Sequence, residues 1–254
     1  MKWGIAWLLL FAVWPLFAFD QATAEKAYRA YQDGEQSTSV EKRKASFNEA
    51  LALLLSMASE QPSAKLYYDL GNTYFQLGEY GFAILYYDKA LKSAPRDSRV
   101  RKNLAIAQAK AGLPAEPWNF WHNVVLFFHY RVSSEEKAFI AMGLFAFAFV
   151  LASLHVWLRQ PTFFHLAKWG AIVACIFLLS LFWVQYVAPP EAVLVQPCQL
   201  RRGPGTEYAF SSARPALAGL KVDVLEVTSG GSWVKVRLPT GEEGFAPKET
   251  ARLI

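Results

Sequence analysis

The chain holds four histidines, His122, His129, His155 and His165, and two cysteines, Cys175 and Cys198. These are the side chains from which a metal site, a general base or a thiolate nucleophile would be built. Catalysis needs such groups gathered with partners that orient them. All four histidines lie in or beside long apolar runs. His122 and His129 are seven positions apart and could share a helix face, yet no third ligand stands near them in sequence. Cys175 sits in the middle of an apolar run. Cys198 opens a segment with no histidine to activate it, so it reads as a buried small residue rather than a nucleophile. The Gly203-Pro204-Gly205 stretch lacks the Lys-Ser/Thr that a phosphate loop requires. A chain without catalytic residues, metal or cofactor is the expectation, and its chemistry is therefore that of binding.

Composition says what kind of surface does the binding. Of 254 residues, 54% are hydrophobic, 15% aromatic and 19% charged, the reverse of a disordered chain. Two cysteines exclude a disulfide scaffold. The net charge of +5 is not a nucleic-acid face. Residues 20–117 carry 13 Lys and Arg against 12 Asp and Glu, and residues 189–254 carry 8 against 7. The remaining excess flanks apolar segments, where it reads as membrane topology.

Three apolar segments set the frame. Residues 1–18 pair Lys2 with a short Trp- and Leu-rich run, the pattern of a secretory signal peptide. Phe139–Leu158 and Trp169–Ala188 are each 20 residues without formal charge. At about 1.5 Å per residue each reaches about 30 Å, enough to cross the hydrocarbon core. Trp157, Trp169, Trp183 and Tyr186 fall at or near their ends, where aromatic rings anchor. Between them, 159–168 reads as a short basic cytoplasmic loop. Residues 19–113 and 189–254 are then both exported. Residues 114–138 form a linker in which Trp118–Tyr130 reads as an interfacial helix against the lipid bilayer.

The region 19–113 repeats. In Ala64–Asp97, 34 residues long, Tyr67, Leu70, Gly71, Tyr74, Gly78, Tyr80, Ala83, Tyr87, Ala90, Leu91 and Pro95 fall at the spacing of a tetratricopeptide repeat, which this segment resembles. Upstream, Ala22–Gly34 and Phe47–Pro62 fit the two halves of another repeat. The polar stretch Glu35–Ser46 between them reads as a lengthened turn. Downstream, Ser98–Ala111 has first-helix spacing and no second helix, as a capping helix would. The expectation is five helices in helix-turn-helix pairs.

That resemblance implies a groove lined by first helices. Its positions here are Lys65, Tyr68, Asn72, Phe75 and Gln76, then Arg99, Lys102, Asn103 and Ile106. A side-chain amide donates and accepts together, which suits a peptide backbone. Arg99 and Lys102 favour an acidic segment or a free C-terminus. The competing reading leaves Asn72 and Asn103 as repeat consensus on a solvated face.

After Pro189-Pro190 the pattern becomes one of short β-rich runs at Ala192–Val195, Leu220–Val227, Ser232–Leu238 and Glu243–Ala246, parted by glycine turns. Residues 189–254 are expected to form a small all-β barrel. Leu200–Gly205, Trp233–Val236 and Gly241–Phe245 resemble the bacterial SH3-like domain. Many such domains bind peptidoglycan or short peptides. Arg201, Tyr208 and Phe245 are candidate surface residues, while Trp233 reads more readily as core.

The fold class is thus a multidomain membrane protein: an all-α tetratricopeptide domain, two transmembrane helices and a small SH3-like barrel. This order, with Leu66–Tyr74 and Ala83–Tyr87, resembles the BatE family of the aerotolerance (Bat) operon. The resemblance implies a non-enzymatic inner-membrane component. Its partners would be membrane proteins with von Willebrand A domains and a MoxR-type ATPase, in envelope integrity and oxidative-stress tolerance. Peptidoglycan is the alternative ligand, reached through the SH3-like domain.

Overall fold

The computed structural model describes residues 21–115, 120, 124, 126–212, 214–228 and 230–254. The expected signal peptide, residues 1–18, lies outside the described residues, as do His122 and much of the expected interfacial helix. The chain divides into two compact units, Met1–Pro62 and Ser63–Ile254.

In the first unit, α1 (Gln21–Gln36) pairs with α2 (Val40–Glu60). Phe47 is fully buried, meets Tyr31 edge-on at 5.3 Å and lies against Gly34, where a Cβ would come within 2.8 Å of its ring. The expected lengthened turn Glu35–Ser46 is corrected here: only Ser37–Ser39 link the helices. Ser39 caps α2 by accepting from the Lys42 amide, and Glu41 stands in the first turn where a helix favours negative charge. Val40–Ser46 is polar because it is an exposed extra stretch of helix.

The second unit begins with three more helices. Ser63 caps α3 (Ala64–Gln76), and Asp97 caps α5 (Ser98–Lys110), with α4 (Tyr80–Ser93) between them. Gly78 turns the chain at φ 81°, a conformation open to glycine. Gly71 gives α4 room to approach, since a Cβ there would lie 2.5 Å from the Tyr87 ring. On the other side of that ring's helix, Tyr74 stacks on Phe82 at 4.9 Å and on Tyr86 at 5.3 Å.

Then comes a helical hairpin. A short α6 (Phe127–Arg131) precedes α7 (Ser134–Leu158), and α8 (Pro161–Phe182) runs on as a π-helical turn, Trp183–Val187. Among the described residues, two helices are therefore long and apolar enough to cross a membrane. Both start earlier than the uncharged runs did. The Ser133 hydroxyl accepts from the Glu136 amide while the Glu136 carboxylate accepts from the Ser133 amide, a capping box that sets the head of α7. Pro161 at the first position of α8 leaves only Arg159 and Gln160 as the connection, so most of the expected loop 159–168 is helix. The helices meet through small residues: a Cβ on Gly170 would touch that of Ala148 at 3.6 Å.

The C-terminal region is an antiparallel sheet of β1 (Glu191–Leu194), β2 (Lys221–Val227), β3 (Trp233–Arg237), β4 (Glu243–Pro247) and β5 (Ala251–Leu253), in the order β4-β3-β2-β1-β5. Its inner face gathers Ala192, Leu194, Leu200, Val222, Val224, Val234, Val236 and Ala246. The expected barrel is an open sheet in this structure. Among the described residues β4 and β5 are its edges, and β4 meets the long β1–β2 connection through an isolated bridge between Arg201 and Phe245. Trp233, expected in the core, is half-buried and outside it, because the inward positions of β3 fall to Val234 and Val236.

The sheet docks on α4. While Ala192 and Leu194 face the sheet core, Val193 and Val195 join Ala83, Ile84, Leu85 and Tyr87 in the helical core. A Cβ on Gly81 would lie 2.2 Å from the Val195 carbonyl oxygen. Lys221 pairs with the buried Asp88 at 2.8 Å, and Lys92 donates to the backbone oxygen of Ile254 at 2.9 Å.

Candidate partner-binding groove

The predicted groove residues on α3 and α5 meet through their side chains. Asn72 Oδ1 accepts from the Tyr87 hydroxyl at 2.8 Å and from Asn103 Nδ2 at 3.0 Å. Asn103 Nδ2 also donates to the Tyr68 hydroxyl at 3.2 Å. Both amides are half-buried. The donors of Asn72 Nδ2 and the carbonyl oxygen of Asn103 carry no protein hydrogen bond among the described residues, so the pair still offers both a donor and an acceptor.

The cations stand around this pair. The Arg99 guanidinium lies 5.7 Å from the centre of the Tyr68 ring and pairs with Asp97 at 2.8 Å. Arg99 holds the Asp97 carboxyl down to about 2, and the Asp97 carboxylate keeps Arg99 charged. Lys65 reaches Asp69 at 3.2 Å, one turn along α3. Lys102 and Gln76 are exposed, and Ile106 is 41% exposed. Phe75 is half-buried, its ring 5.4 Å from that of Tyr80. The surface is thus a half-buried polar pair rimmed by three cations, with apolar contact from Phe75 and Ile106.

The fit of a helix pair around Gly71 and Tyr87 now has a counterpart elsewhere. Residues 64–97 match the tetratricopeptide repeat. The matched segment is α3, α4 and the turn that follows, so the groove lies on the matched repeat and the helix after it. Tetratricopeptide repeats mediate protein–protein interaction, which makes protein partners the general reading. No curated protein matches the chain.

The second candidate surface is only partly assembled. Arg201 is turned to its own loop, donating to the backbone oxygens of Thr206 and Tyr208, each at 2.7 Å, with its guanidinium 4.6 Å over the Phe210 ring. Tyr208 is 45% exposed and Phe245 half-buried on the outer face of β4. Phe210, exposed beside them, was not foreseen from spacing. Nor was the hydroxyl of Tyr87, whose consensus position suggested only bulk.

Cys198 and His129 are engaged structurally. Cys198 is buried in the sheet core, and burial pushes its thiol up despite a hydrogen bond with Thr250. His129 Nδ1 meets Ser180 Oγ at 2.8 Å, and its backbone oxygen accepts from Lys137 Nζ at 2.7 Å. Among the described residues no three His, Cys, Asp or Glu side chains gather as metal ligands.

Proposed function

We propose that the chain is a non-enzymatic scaffold of a bacterial inner membrane, anchored by α7 and α8, whose exported groove holds an acidic extended segment of a partner protein. The observation that carries this is the Asn72–Asn103 pair. It is fixed by Tyr68 and Tyr87 yet keeps a free donor and a free acceptor, beside Lys102, which has no ion pair among the described residues. A preorganised pair of this kind loses little entropy on binding. The Bat resemblance supplies the finer reading, a complex of von Willebrand A membrane proteins with a MoxR-type ATPase. The test is a photo-crosslinking amino acid placed at Lys102 and, separately, at Lys110 near the far end of α5. Adducts in native membranes from position 102 and not from 110 support the groove; adducts from 110 alone count against it.

A second reading rests on the exposed Tyr208 and Phe210 rings, with half-buried Trp233 and Phe245 on the same sheet unit. Exposed aromatic faces suit sugar rings, and an SH3-like domain here would act as a peptidoglycan tether. Sedimentation of the detergent-solubilised chain with purified peptidoglycan, lost in Tyr208→Ala/Phe210→Ala, is the result this reading needs.

A further inference from the structure

The cationic end of the groove is fastened to the head of α7. Arg96, in the turn between α4 and α5, pairs with Glu136, the residue that closes the Ser133 capping box. At the other end of the hairpin only residues 188–190 separate the π-helical turn from β1, and β1 is buried against α4 through Val193. The helices are therefore tied to the head of α7 by an ion pair, and the sheet to the end of α8 by a three-residue connection.

The direction of α3 and α5 follows from their contacts. Arg99 lies over Tyr68 and Asn103 meets Asn72, so the two helices run parallel in register. Lys65, Arg99 and Lys102 then share the end of the repeat at which Arg96 sits. Along α7, Glu136 precedes the uncharged run at Phe139 by about 5 Å, and along α5 Asn103 lies about 8 Å from the helix start. One headgroup layer of a bilayer is about 5–8 Å deep. The Arg96 end of the groove stands at that layer, and Asn103 lies about 8 Å farther along α5.

We propose that the groove takes an acidic segment lying at the membrane surface, directly beside the anchor of a second membrane-bound protein; this rests on the groove and membrane-spanning readings above. A peptide fits better than a lipid phosphate. Arg99 and Lys65 already carry the carboxylates of Asp97 and Asp69, which leaves Lys102 for a carboxylate of the segment, and the free carbonyl oxygen of Asn103 accepts from a peptide N–H, a donor that a phosphodiester lacks.

The test uses the full chain in nanodiscs of neutral lipid. The probe is a synthetic acidic peptide of about ten residues, acylated either directly or through a flexible spacer of about twenty residues, with a third form left unacylated. Both acylated forms share one bilayer, so their difference reads position. The directly acylated form is expected to bind about fivefold more tightly than the spacer form. Asn72→Ala/Asn103→Ala should remove that binding while circular dichroism shows the helices intact. Equal or tighter binding of the spacer or unacylated form overturns the proposal and leaves the groove reading standing. No binding by any form overturns both. Displacement of the peptide by added phosphatidylglycerol, abolished in Lys102→Ala, makes the rim a lipid site and also overturns it.

Discussion

At the residue scale, four side chains set checks on the structure. Asn72 accepts two hydrogen bonds and Asn103 donates to two acceptors, one of them Asn72. Asn72→Ala should cost about 1–2 kcal/mol, because it removes the acceptor of the Tyr87 hydroxyl and of the Asn103 amide, and Asn103→Ala less, in thermal unfolding. Tyr74 is pushed up to about 12, chiefly by burial. A phenol that stays neutral in the fold and ionises near 10 when unfolded stabilises fully below pH 10, and that contribution is lost as pH rises toward 12. Burial raises Tyr86 as well, so phenolate absorbance should show a late-titrating class that loses one phenol in Tyr74→Phe. Cys198, buried and raised, should resist a soluble maleimide at pH 8 until denaturant is added. The meeting of Asn72 with Asn103 was legible because the repeat's spacing puts both at matching positions of first helices. Arg201 was not, since nothing in its neighbours' identities says that its guanidinium closes its own loop.

At the element scale, glycines mark where backbones touch. Gly81→Ala gains helix propensity but drives a Cβ into the Val195 carbonyl, and a net loss of about 1–3 kcal/mol is expected in thermal unfolding. Consensus positions made α3 and α4 legible, since small residues and aromatics must alternate there for the helices to approach. The start of α2 was not, because an exposed helical turn and a polar loop share the same composition until the Ser39 cap is recognised. The same holds for α7: charged Glu135 and Glu136 end an apolar run but begin a helix. Sheet closure was beyond the pattern of strands, which fixes faces and turns but not whether the edges meet.

At the scale of the molecule, the helices and the sheet of residues 63–254 share a core, and this was half-written in Ala192-Val193-Leu194-Val195. An unbroken apolar run in a strand means both faces are covered. Its second partner, α4, was not written there. Lys221→Met removes the ion pair to the buried Asp88 carboxylate, and α4 and β1 amides are expected to lose hydrogen-exchange protection together. Protection lost in β1 alone would separate the two. The central claim remains the groove. The direct measurement is quantitative co-purification from native membranes in mild detergent, comparing the wild-type chain with Asn72→Ala/Lys102→Ala/Asn103→Ala and with Tyr208→Ala/Phe210→Ala. The account predicts a membrane protein recovered with the wild type and the sheet variant and depleted at least tenfold with the groove variant. Equal recovery by the groove variant, with loss from the sheet variant, would contradict it.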